Sequence, residues 1–202
     1  MKGADRRLVV ASQNAGKCRE IARILDRFEI LSLAEFAPVA FPEEGRDYFE
    51  NARQKAVTAA LATGRVCVAD DSGLEVEALG GAPGPLSARY GGPDLDDRGR
   101  LEKLLTELRD VPAPRRARFF CVAACARPDG RVALAEGSCE GEISTEALGE
   151  GGFGYDPIFR PDGFAQGMAE IGREEKDALS HRGRAFRALE AGIEALLKAA
   201  DA

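Results

Sequence analysis

Residues 118–141 read RFFCVAACARPDGRVALAEGSCEG, and this stretch decides the architecture. Arg118–Ala126 is a long apolar run with the character of a central strand, Pro128-Asp129-Gly130 is a tight-turn sequence, and a second long strand follows near Arg131–Gly141. Two such runs joined by so short a turn predict an antiparallel hairpin. Elsewhere short strands alternate with amphipathic helices, the pattern of a parallel sheet made of strand-helix-strand units. The hairpin breaks that regularity. The expected fold is therefore α/β, with a mixed sheet and flanking helices.

Upstream of the hairpin, Leu8-Val9-Val10-Ala11 is a short apolar run bounded by polar residues, hence a buried strand. It leads into a helix with Ile21, Ile24, Leu25 and Phe28 on one stripe. A second strand is expected near Glu29–Leu33, then a loop from Pro38 to Gly45, then a helix striped by Phe49, Ala52, Ala56 and Ala59/Ala60. A third strand spans Val66–Ala69, and Leu74-Glu75-Val76-Glu77 alternates at period 2. The following GGAPGP is too rich in Gly and Pro for a helix or central strand. Leu101, Leu104, Leu105 and Leu108 mark another amphipathic helix, and Phe186, Leu189, Ile193, Leu196 and Leu197 the apolar face of a terminal one.

A chain of 202 residues suits one domain over 1–202, with room for two lobes and an ample core. Hydrophobic content of 45% and charged content of 31% are those of a folded globular protein. A net charge of −6 argues against broad contact with a nucleic-acid backbone, yet a few local Lys and Arg can still hold a nucleotide. Five cysteines, an odd number without CxxC spacing, argue for a reduced, cytoplasmic setting and against zinc. The N-terminus has no apolar core long enough for a signal peptide, and no later run could span a bilayer.

Chemistry concentrates in a few segments. Asp70-Asp71-Ser72-Gly73 follows the strand Val66–Ala69 directly. Two carboxylates at the mouth of a buried strand repel each other, and a hard divalent cation relieves that cost; the alternative is a solvated turn of ordinary turn residues. Ser12-Gln13-Asn14-Ala15-Gly16-Lys17 lies between the first strand and first helix. Helix-start amides beside a lysine suit phosphate, or else Ser12 or Asn14 simply caps a helix. This is not the P-loop, which would need Gly at Ala11 and Ser or Thr at Cys18. Glu43-Glu44-Gly45 reads as a solvated cap unless the fold brings it to Asp70 and Asp71, and Lys55 reads as a surface lysine on the same terms. Gly151-Gly152-Phe153-Gly154-Tyr155-Asp156-Pro157 can let backbone approach a flat ligand, with Phe153 and Tyr155 on a ring face and Asp156 on a polar edge; the alternative is a tight loop plugged by aromatics. Arg173-Glu174-Glu175-Lys176 and Ser180-His181-Arg182-Gly183 complete the set, with Ser180 also a plausible helix cap and His181 the sole histidine.

Taken together, SQNAGKCREI (12–21), EEGRDYFENA (43–52), VADDSGLEVEALGGAPGPLSARY (68–90), GGFGYDPIF (151–159), REEK (173–176) and SHRG (180–183) resemble the inosine triphosphate pyrophosphatase family. The resemblance covers nearly the whole chain. It implies an elongated mixed sheet with flanking helices and two lobes around a central nucleotide cleft, usually in a homodimer. It also implies Mg²⁺ and hydrolysis of non-standard purine triphosphates (ITP, dITP, XTP) to the monophosphate and pyrophosphate, which cleanses the nucleotide pool. By position, Ser12, Gln13, Asn14, Ala15, Gly16 and Lys17 match the triphosphate cradle, and Asp71 the catalytic acid residue and metal ligand, supported by Asp70. Ser72, Lys55, Lys176, His181 and Arg182 match substrate contacts, and Phe153, Gly154, Tyr155 and Asp156 the base-binding loop. The acidic loop departs from the common spacing, so Glu43 and Glu44 both stand as metal ligands, with Glu43 slightly ahead. Two other readings compete: a Maf-like pyrimidine nucleotide pyrophosphatase, and a nucleotide sensor that does not hydrolyse.

Overall fold

Six strands and five α-helices build the computed structural model, which describes residues 6–198. In chain order they are β1 (Arg7–Val10), α1 (Ala15–Ile24), β2 (Glu29–Ser32), α2 (Tyr48–Thr63), β3 (Cys67–Val76), α3 (Asp97–Glu107), β4 (Arg116–Ala126), β5 (Val132–Ile143), β6 (Phe159–Pro161), α4 (Arg173–Leu179) and α5 (His181–Lys198). The strands form one sheet in the order β2-β1-β3-β4-β5-β6. β1 runs parallel to β2 and β3, whereas β6 is antiparallel to β5, so the sheet is mixed as the sequence led us to expect. The turn between β4 and β5 closes where Arg127 N–H donates to Arg131 O at 2.9 Å, with Gly130 at φ +86°. An L side chain is strained in that region, which explains the glycine.

One element differs from the sequence reading in a way that matters for the site. β3 continues without interruption from Cys67 to Val76, so Asp70-Asp71-Ser72-Gly73 lies within a strand and not at a bend after it. Period-2 alternation then sends neighbouring side chains to opposite faces. The segment Leu74–Val76, read separately from sequence, is the same strand.

The described residues divide into two compact units. The first gathers the residues up to Asp71, Cys121–Gly137 and those from Arg182 onward; the second comprises Ser72–Phe120 and Ser138–His181. Each has its own core. In the first, Leu8, Val10, Val68, Ile21, Leu25, Phe186, Leu189 and Ile193 pack with Cys121 and Cys125. In the second, Leu74, Val76, Leu104, Leu108, Phe119, Ile158, Phe159 and Met168 do so. Burying one such large side chain contributes about 1.5–3 kcal/mol, so either cluster far outweighs any single polar contact. All five cysteines are free thiols, four of them buried. No helix among the described residues is long and apolar enough to cross a membrane.

α2 carries Asn51 and Lys55, whose side chains reach Asp71. Asp47 caps it, its carboxylate accepting from the Phe49 and Glu50 amides at 2.8 and 3.2 Å, and Gly64 ends it in the left-handed region at φ +65°. Ala52, Ala56, Ala59 and Ala60 are fully buried, as their spacing predicts. Phe49 is not part of that face. It is 43% exposed, and Tyr48 takes the buried position one residue earlier. The spacing explains the shift: 48, 52, 56 and 60 are successive i+4 neighbours, and 49 lies a further 100° or so around the helix.

Candidate active site

Asp71 stands at the end of the first unit's portion of β3, and α2 supplies its partners. Asn51 Nδ2 donates to Asp71 Oδ2 at 2.9 Å, and Lys55 Nζ donates to Asp71 Oδ1 at 3.1 Å. Asn51 and Lys55 are one helical turn apart, so both reach the same carboxylate. Lys55 Nζ also donates to Glu44 Oε1 at 2.7 Å. Two carboxylates from distant segments therefore converge on one cationic nitrogen. Burial pushes the Asp71 carboxyl above its ordinary value, and the Lys55 charge and the Asn51 amide oppose this without cancelling it. Burial would lower the Lys55 ammonium, but Asp71, Asp70 and Glu44 together carry it upward, so it stays protonated.

Asp70, the preceding residue, lives among different neighbours. Lys17 Nζ lies 3.0 Å from its Oδ2, and Arg182 donates to the same oxygen from Nε at 3.3 Å and Nη2 at 3.1 Å. Arg182 Nη1 meanwhile donates to Glu20 Oε2 at 2.6 Å. Burial alone would raise the Asp70 carboxyl, yet Lys17, Arg182 and Lys55 hold it well below the usual carboxylate range. Its Oδ1 is buried without a hydrogen-bond partner. The sequence reading set Asp70 beside Asp71 as a metal ligand. In the fold its charge is answered by Lys17 and Arg182, and Arg182, read as a substrate contact, is itself only 2% exposed.

The segment before α1 caps its helix, one of the two readings its sequence allows. Ser12 Oγ accepts from the Asn14 amide at 3.2 Å, and Asn14 Oδ1 caps the helix by accepting from the Lys17 amide at 3.0 Å. Gln13, Asn14 and Ala15 are exposed, Ser12 and Gly16 half-buried, and the Lys17 side chain extends to Asp70. A capped helix start is a positive terminus with backbone amides aimed outward, which is what an anionic ligand needs.

The second unit holds the glycine-rich loop. Asp156 Oδ2 accepts from the Phe153 amide at 2.8 Å and from Lys176 Nζ at 2.6 Å, and that ammonium lies 5.2 Å from the Phe153 ring centroid. A Cβ at Gly152, where φ is +75°, would collide with the Asp156 carboxylate, so glycine is required there. Tyr155 is buried and its hydroxyl donates to Ser87 O at 3.1 Å, which makes it a structural plug, while Phe153 and Gly154 are half-exposed. His181 is buried and stacks on Phe119, with centroids 4.8 Å apart and planes 12° from parallel. Ser72 is half-buried on β3 and falls in this second unit.

The acidic donors suit a hard cation. Glu44 and Asp71 already share one positive charge through oxygen atoms, and Glu43 is exposed. Among the described residues no group of three or more His, Cys, Asp or Glu side chains forms a cage. In Mg²⁺ sites generally, one or two carboxylates suffice, and phosphate and water complete the shell. Two residues that sequence reasoning passed over emerge here, Asn51 and Glu20. Both are buried polar residues on otherwise apolar helix faces, and that mismatch was the available signal.

Comparison with known proteins gives a consistent result. The sequence model of the Ham1 family matches residues 8–192. A Desulforamulus reducens protein named dITP/XTP pyrophosphatase is 48% identical over 90% of this chain and 92% of its own length. A Bacillus cereus protein of the same name is 44% identical over 93% of this chain and 95% of its own. Among solved structures, a HAM1 protein from Coxiella burnetii superimposes with a TM-score of 0.82 at 40% identity, covering 93% of this chain and 98% of that one.

Proposed function

The chain belongs to the Ham1 family, and from that premise we propose that it hydrolyses non-standard purine nucleoside triphosphates (dITP, ITP and XTP) to the monophosphate and pyrophosphate. The observation that carries this reading is the convergence of Glu44 and Asp71 on one cationic nitrogen beside a buried amide. Asp71 and Glu44 would hold a divalent cation such as Mg²⁺, which when bound neutralises phosphate oxygens and eases deprotonation of water. Asp71 takes the proton from the water that attacks the α-phosphate. Its burial-raised affinity for protons makes it a stronger base than a solvated aspartate. Lys55 and Lys17 offset charge on the phosphate chain, an electrostatic task that dominates this chemistry. Asp70, Arg182 and Glu20 form the buried ionic frame that holds Lys17 in place.

Base recognition falls to the Phe153–Asp156 loop with Lys176. Phe153 offers a ring face, and the Lys176 ammonium, oriented by Asp156, is a donor with no acceptor capacity. A donor accepts company from the C6 carbonyl of hypoxanthine and xanthine and rejects the C6 amino group of adenine. Sites built on matched buried hydrogen bonds discriminate by about 10⁴ or more. We extend the reading to a role in cleansing the nucleotide pool, to a homodimer, and to the cytoplasm, whose reducing setting suits five free thiols. The test is a panel of ITP, dITP, XTP, ATP, GTP, dTTP and UTP with Mg²⁺, scored for pyrophosphate. Preference for the first three supports the proposal. Equal hydrolysis of ATP, preference for dTTP and UTP, or release of single phosphate would overturn it.

A further inference from the structure

The amide of Asn51 is bound on three sides. Its Oδ1 accepts from the Gly45 amide at 2.8 Å, and its Nδ2 donates both to Gly45 O at 3.2 Å and to Asp71 Oδ2 at 2.9 Å. Only one orientation satisfies all three bonds, because exchanging the oxygen and nitrogen would set donor against donor and acceptor against acceptor. Asn51 is 4% exposed, so its own amide oxygen and nitrogen would otherwise be buried without a partner. No other residue type offers this combination at this reach. Aspartate keeps the acceptor and loses both donors, and glutamine adds a methylene where the geometry leaves no slack.

The loop that Asn51 grips has no regular structure between Pro38 and Gly45. Glu44 immediately precedes the gripped glycine and carries the carboxylate that meets Lys55. A clamp on both the amide and the carbonyl of Gly45 therefore fixes where the Glu44 side chain begins, and the third bond ties that point to Asp71. We propose that Asn51 is a positioning residue that sets the separation of the Glu44 and Asp71 carboxylates, so that both address one divalent cation. The inference rests on the metal-dependent reading above and adds to it a residue that touches neither substrate nor metal. Outer partners of metal-binding carboxylates commonly govern affinity by about 10–100-fold.

The experiment measures Mn²⁺ binding to the full chain by titration calorimetry without nucleotide, for wild type, Asn51→Ala and the equal-sized Asn51→Asp. The steady-state Mg²⁺ dependence of ITP hydrolysis is recorded alongside. Asn51→Ala is expected to bind Mn²⁺ at least about tenfold more weakly. Its kcat at fixed low Mg²⁺ falls while the KM for ITP stays within threefold, and excess Mg²⁺ restores much of the rate. A residue that merely stabilises α2 would lower the unfolding midpoint without such rescue. If Asn51→Ala does not fold, Asn51→Asp decides. It keeps the bond from the Gly45 amide and lacks both donated bonds, so its Mg²⁺ requirement should move away from wild type. Unchanged Mn²⁺ affinity and unchanged Mg²⁺ dependence in a folded variant would overturn the inference. Weakened Mn²⁺ binding in a chain whose wild type releases no pyrophosphate would uphold the clamp and sink the hydrolytic reading instead.

Discussion

Asp70 and Asp71 are the same residue type at adjacent positions of one strand, and the fold gives them opposite electrostatic fates. Asp70 has Lys17 and Arg182 against its Oδ2 and is held ionised far into the acid range. Asp71 has one lysine, which it shares with Glu44, and one neutral amide, and burial prevails over both. The difference is one of charge count. An over-neutralised carboxylate is a poor proton acceptor and a good fastener; an under-neutralised one is a competent base. Strand alternation makes this separation possible, since it sends neighbouring residues into different surroundings.

The largest consequence concerns turnover. Asp71→Asn should reduce kcat for ITP by about 10²–10⁴-fold, the range for loss of a positioned general base, with KM changed only a few-fold. Steady-state kinetics with Mg²⁺ checks this, and an equal loss in KM would mean that Asp71 serves binding. Stability should show the reverse ranking. Asp70→Asn removes the carboxylate from a buried cluster and leaves Lys17 and Arg182 with reduced compensation, a loss of about 3–5 kcal/mol in urea unfolding. Asp71→Asn in metal-free buffer should be at least as stable as wild type near neutral pH, because the fold penalises the ionised form that the variant lacks.

The pH dependence of stability sharpens the same contrast. Asp70 has a folded value below its unfolded value of about 3.9, so its contribution is complete above that pH and drains away as pH falls toward the folded value. Wild type should thus lose stability more steeply below about pH 4 than Asp70→Asn does. Asp71 has the opposite sign, since its folded value is raised: stability declines as pH rises through its unfolded value toward its folded one. Urea midpoints for both variants between pH 3 and 7 would reveal the two slopes. The smallest effect belongs to Cys121, whose thiol lies 3.9 Å from Asp70 Oδ2. With that oxygen already paired with two cations, Cys121→Ser should shift stability by no more than about 1 kcal/mol.

The sequence was most legible where local rules dominate. The hairpin around Pro128-Asp129-Gly130, the alanine face of α2 and the apolar stripe of α5 all follow from periodicity and turn chemistry. It was least legible where distant residues decide. Asp70-Asp71-Ser72-Gly73 carries turn residues, yet it remains strand because Lys17, Asn51, Lys55 and Arg182, scattered along the chain, answer its polar groups. For the same reason spacing does not distinguish Glu43 from Glu44: only the fold brings Glu44 to Lys55 and leaves Glu43 exposed. Asn51 and Glu20 carried no motif of their own that spacing would single out, and only their burial sets them apart.

The most direct measurement follows ¹⁸O from enriched water into inosine monophosphate during ITP hydrolysis with Mg²⁺, for wild type and Asp71→Asn side by side. Wild type should place one ¹⁸O in the monophosphate and none in pyrophosphate, and Asp71→Asn should form that labelled product at least about a hundredfold more slowly. Label in the pyrophosphate would contradict attack at the α-phosphate, and labelled monophosphate formed by Asp71→Asn at the wild-type rate would contradict the assignment of Asp71 as the working base.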